Sequence, residues 1–73
     1  MDAISVDTTV KTSLTLVRAK LEKALRIATA ADVCAGSGRT RKAIEVALGL
    51  QEIVSEVNTL LNTTSMISRL GKS

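Results

Sequence analysis

Apolar residues recur along this chain at alternating intervals of four and three. Between Val10 and Ala35 they fall at Val10, Leu14, Val17, Leu21, Ala24, Ala28, Ala31 and Ala35, the spacing with which a helix presents one stripe to a neighbouring helix. Leu25 widens the stripe. A second run passes through Ala43, Ala47, Leu50, Val54, Val57 and Leu61. Between them lies Gly36-Ser37-Gly38. Gly36 suits the left-handed position that closes a helix, and Ser37 suits the cap of the next one. The pattern predicts an all-α fold, an antiparallel two-helix hairpin with helices over about residues 8–35 and 39–69, forming a single domain over 1–73.

The two stripes agree with one another. In a hairpin turning at Ser37, facing residues have numbers that add to about 75. Ala28 then meets Ala47, Leu25 meets Leu50, Leu21 meets Val54 and Leu14 meets Leu61, so small faces small near the turn and large faces large at the open end.

Two stretches carry a competing signal. From Ile4 to Leu16 apolar and polar residues alternate, with several β-branched side chains, which is a strand pattern. Helix from about Thr8 with Asp7 as its cap is the preferred reading. Asn62-Thr63-Thr64-Ser65 gathers poor helix formers and is expected to fray or break the second helix.

Apolar residues remain after the first pairing. Val46, Ile53, Leu60 and Ile67 recur every seventh position, marking a second stripe on the second helix. A two-helix hairpin has one internal face, so these four are the predicted interface for assembly with another chain. Composition points the same way. A chain of 73 residues buries only about 60% of the surface that its unfolded form exposes. Small domains overcome this with disulfides, a structural metal or oligomerisation. Cys34 is the lone cysteine and there is no histidine, so neither an internal disulfide nor a four-ligand zinc site can form. Pro, Phe, Tyr and Trp are absent, which favours long uninterrupted helices.

Charge adds one candidate site. Arg39, Arg41 and Lys42 cluster at the start of the second helix, where the helix dipole favours anions, and they are candidates for binding a phosphate or an acidic partner. Ala35-Gly36-Ser37-Gly38-Arg39-Thr40 ends like a phosphate-binding loop. It lacks the first glycine, where Val33 stands, has Arg39 in place of lysine, and follows a helix and not a strand. Arg18, Lys20, Lys23 and Arg26 are expected to pair across the hairpin, Lys23 with Glu52 and Arg18 or Lys20 with Glu56. A net charge of +3 with no aromatic residue is a weak basis for nucleic-acid binding.

No nucleophile–base pair, metal cluster or cofactor motif stands out, so the sequence predicts no enzyme, no cofactor and no metal. The expectation is a non-catalytic self-assembling or partner-binding module, either a structural subunit or a small adaptor or chaperone. Its partner would be a second copy or another helical protein. The alternative is a nucleic-acid-binding hairpin dimer or array using the basic turn. The N-terminal residues do not resemble a secretory signal and no apolar run is long enough to span a bilayer. A cytoplasmic location is therefore expected, with signal-independent export or incorporation into an assembly as the other route.

Overall fold

The computed structural model describes the backbone of residues 3–71 and the side chains of residues 5–70. Helix α1 spans Ala3–Gly36 and helix α2 spans Thr40–Gly71. They pack along their length into a rod of 54 × 14 × 10 Å, the all-α hairpin that the periodicity predicts.

α1 begins five residues before the predicted start, so Asp7 lies inside the helix and not at its cap. The β-branched residues there are accommodated locally. The hydroxyl of Thr9 donates to the Ser5 carbonyl at 2.9 Å, and that of Thr15 to the Lys11 carbonyl at 3.0 Å. Val6 and Val10 meanwhile face α2 as buried and half-buried side chains. Tertiary burial thus overrides a local strand preference. Asn62–Ser65 is helical for the same reason. Thr64 is buried, and its hydroxyl donates to the Leu60 carbonyl at 2.7 Å.

The turn uses a different glycine from the one anticipated. Arg39 N–H donates to the Cys34 carbonyl at 2.9 Å and Gly38 N–H to the Ala35 carbonyl at 3.0 Å, the paired bonds of a Schellman closure. The residue in the left-handed region is Gly38, with φ of 82°, while Gly36 is the last residue of α1. Ser37 donates its hydroxyl back to the Val33 carbonyl at 3.0 Å, so it closes α1 and does not cap α2.

The inner face follows a heptad on both helices. On α1 the buried and half-buried line is Val6, Val10, Ser13, Val17, Lys20, Ala24, Ile27, Ala31 and Cys34; on α2 it is Ala43, Val46, Leu50, Ile53, Val57, Leu60, Thr64 and Ile67. Val17, Ile53 and Val57 form the core, with Ala24, Ile27 and Leu60 packed against them. It is a thin core, since among the described residues no large side chain is fully buried.

This face differs from the predicted one by a rotation of about 50°, in the same sense on both helices. Val10, Val17, Ala24, Ala31, Ala43, Leu50 and Val57 belong to both. Leu14, Leu21, Ala28, Val54 and Leu61, expected in the seam, are exposed. Val46, Ile53, Leu60 and Ile67, expected at an external interface, point at α1 instead. Ile53 is 6% exposed and its neighbour Val54 is 52% exposed. The cause lies in α2, where the line through Val46, Ile53, Leu60 and Ile67 carries more apolar bulk than Ala47, Val54, Leu61 and Ser68. Turning that line inward buries more apolar area. The two helices must rotate together, so α1 then presents Ser13 and Lys20.

Candidate assembly face

Rotation of the seam gives the hairpin two unlike sides. Leu14, Leu21 and Ala28 each follow an inner residue of α1 by four positions, which places them on one flank. Ala47, Val54 and Leu61 stand in the same relation to inner residues of α2. The helices are antiparallel, so the two flanks lie on the same side of the rod. Leu25 and Ile44, each one residue after an inner position, extend that side outward. Leu14, Leu21, Leu25, Ile44, Val54 and Leu61 are 43% to 68% exposed. On α1 this side forms a shallow groove lined by Leu14, Val17, Arg18, Leu21, Glu22 and Leu25. Its rim holds an Arg18–Glu22 ion pair at 3.0 Å. On α2 the rim is neutral, with Gln51, Asn58 and Asn62 beside Leu50 and Val54.

The opposite side is mixed. Leu16, Val33, Met66 and Leu70 are 48% to 66% exposed there, and Leu16 and Leu60 line a shallow groove with Lys20, Ser55, Glu56 and Thr59. Lys20 donates across the hairpin to the Glu56 carboxylate, one of the cross-helix pairs expected from the sequence. The Lys20 hydrogen bond and charge, with a smaller contribution from the charge of Lys23, hold the Glu56 pKa below its ordinary value. Lys20 occupies an inner heptad position with its side chain partly covered. Its methylene stem lies along the seam while the ammonium reaches the rim. The expected Lys23–Glu52 pair does not form as an ion pair among the described residues; Arg18 pairs within its own helix.

The predicted assembly residues Val46, Ile53, Leu60 and Ile67 therefore belong to the hairpin interior. The outward stripe is the one that the sequence pattern assigned to the interior. Both stripes are legible in the sequence, and their side-chain bulk on α2 is the signal that separates inner from outer.

The candidate basic residues Arg39, Arg41 and Lys42 lie at the start of α2, beside the turn. Arg39, Thr40, Arg41 and Lys42 are all exposed. The Arg39 carbonyl accepts the first helical bond of α2, from Ala43 N–H at 2.9 Å, so a cation occupies the cap position and the first turn holds no acid. Lys42 lies 4.0 Å from Glu45. Among the described residues, Arg39 and Arg41 have no acidic partner within 4.0 Å. Cys34 is a half-buried free thiol on the inner face near the turn.

Among the described residues no cluster of His, Cys, Asp or Glu is arranged to hold a metal ion, and no helix is long and apolar enough to cross a membrane. The class defined by this geometry is a two-helix antiparallel hairpin with exposed apolar side chains on both sides, more of them on the side away from the Lys20–Glu56 pair. No family model, curated protein or solved structure matches the chain.

Proposed function

We propose that the chain is a non-catalytic helical module that works by associating with other helices, as a structural subunit or a small adaptor or chaperone. The observation that carries this reading is the side bearing Leu14, Leu21, Leu25, Ile44, Val54 and Leu61, six large apolar side chains exposed together on a rod whose own core is thin. A soluble chain rarely leaves so much contiguous apolar surface facing water unless something covers it. Two helices pairing through an apolar stripe three positions wide in seven, and not two, is the pattern of a bundle with more helices.

Molar mass measured over a concentration series tests this directly. The expected result is a mass above 7.7 kDa that rises with concentration, together with helicity that falls on dilution. A chain that stays monomeric and fully helical at every concentration would sink the structural-subunit form of the reading and leave only a partner of another sequence.

A second reading uses the turn. Arg39, Arg41 and Lys42 are exposed around the open N–H groups of α2, a place suited to phosphate oxygens. Nucleic-acid binding by this end predicts retention on immobilised DNA or RNA that weakens steeply with salt. Retention that does not change with salt would count against it.

A further inference from the structure

We infer that the partner covering the apolar side is a second copy of this chain, packed face to face so that α1 lies antiparallel on α1 of the other copy and the two basic turns sit at opposite ends of a four-helix bundle. This rests on the associating-module reading and adds its surface, its occupant and its orientation.

Area and shape favour a second hairpin as the occupant. A compact protein of 7.7 kDa exposes about 4,300 Å² by the general relation between mass and accessible surface. This hairpin exposes 5497 Å², an excess of about 1,200 Å² over that relation. A stable interface buries about 800 Å² on each partner. The excess comes from the elongated shape of the whole rod and is larger than one such interface needs, and both helices contribute to the same side. A single docked helix would cover only part of a surface two helices wide. A second hairpin offers a face of the same length and width, and a two-fold axis makes each copy's face the complement of the other's.

Charge selects the orientation. Face-to-face packing about a two-fold axis allows two arrangements. With the axis along the rod, the turns lie together, and Arg39, Arg41 and Lys42 of each copy crowd those of the other. With the axis across the rod, the turns are separated by its 54 Å length. In that second arrangement α1 lies on α1 of the other copy. Its centre falls near residue 20, since α1 spans Ala3–Gly36 and a two-fold axis in an isologous interface passes through the middle of the shared contact. Arg18 of each copy then comes level with Glu22 of the other. The pair seen within one chain at 3.0 Å becomes a ring of four alternating charges. The α2 rims meet through Gln51 and Asn58, neutral amides that can donate and accept.

Sedimentation equilibrium and a mixing experiment test this. The intact chain should have about twice the 7.7 kDa mass of one chain. L21D combined with V54D, both on the exposed side, should reduce it to that of one chain. L48D, outside both faces, should leave it doubled. For the orientation, R18E and E22R chains are prepared separately and mixed. Each alone brings like charges together in its own dimer. In the mixture the carboxylate introduced at position 18 meets the guanidinium introduced at position 22, so mixed dimers should outnumber both homodimers together. A monomeric intact chain would overturn the second copy as the occupant, and with it this inference, while the associating-module reading would fall only if no other helical protein bound the face. An oligomer that survives L21D with V54D would overturn the face alone, and a statistical mixture of R18E and E22R would overturn the orientation.

Discussion

Lys20 and Glu56 bridge α1 and α2 at the same level of the hairpin, on the side opposite Leu21 and Val54 and beside the exposed Leu16. Their numbers fit the predicted register of facing residues, so the pair fixes how far the helices have slid along one another. The pair also gives the fold a pH dependence. Glu56 has a lowered pKa in the folded chain because its anion accepts from Lys20. A group whose folded pKa is depressed contributes stability that is fully present above its unfolded pKa, here the ordinary carboxylate range. That contribution is lost as pH falls through the folded value. The thermal midpoint of the intact chain should therefore fall more between neutral pH and pH 3 than that of E56Q, which lacks the titration. Equal losses in the two chains would show that the pair does not couple to folding.

Ile53 and Leu48 provide a sharper test of which face is inside. Ile53→Ala should destabilise the chain by about 2 kcal/mol, the lower end for such a truncation because the site is shallow and can partly collapse. Leu48→Ala, at an exposed position outside both faces, should stay within about 0.5 kcal/mol. Chemical denaturation at a fixed protein concentration gives both values. If Leu48→Ala cost as much as Ile53→Ala, the inner line through Val46, Ile53, Leu60 and Ile67 would be wrong.

The sequence specified the hairpin, the place of its turn and its register, though not which glycine is left-handed, because those depend on periodicity and on numbering about one glycine-rich break. It did not specify rotation about the helix axes. Leu14, Leu21 and Ala28 look like better seam residues than Ser13, Lys20 and Ile27, and on α1 alone they are more apolar. The decision was made on α2, by the bulk of Val46, Ile53 and Ile67 over Ala47, Val54 and Ser68, and α1 had to follow. Lys20 is tolerated inward because a two-helix seam is open at its edges, where a long side chain can reach Glu56. The extension of α1 to Ala3 was hidden for a related reason. Thr8, Thr9 and Val10 favour strand locally, and only the partner helix makes helix the better outcome.

The two glycines flanking Ser37 should respond with opposite signs. Gly38 holds φ of 82°, so Gly38→Ala should cost about 1–2 kcal/mol through its left-handed backbone. Gly36 is helical, and a β-carbon there would meet nothing within 4 Å. Gly36→Ala should then stabilise the chain by roughly 0.4–1 kcal/mol by restricting the unfolded state. Thermal melts of the two single variants decide the matter. A loss at both positions would place Gly36, and not Gly38 alone, in the strained turn.

Arg39 and Arg41 stand where α2 favours negative charge. Arg39 is the cap residue, Arg41 is in the first turn, and neither has an acidic partner within 4.0 Å among the described residues. Each cation near the end should cost about 0.3–1 kcal/mol through the helix dipole. A side chain able to accept from the open N–H groups adds on the order of 1 kcal/mol when it replaces one that cannot. Arg39→Asp with Arg41→Gln should therefore raise the thermal midpoint of the free chain. Salt should shrink that gain, because the charge contribution is screened while the cap hydrogen bond is not. The same substitutions should weaken retention on immobilised nucleic acid if the basic end binds phosphates. A residue that lowers the stability of its own helix while strengthening contact with an anion is placed for binding. A clear loss of stability on substitution would instead make the two arginines part of the turn's own structure, and the anion-binding reading of this end would fail with it.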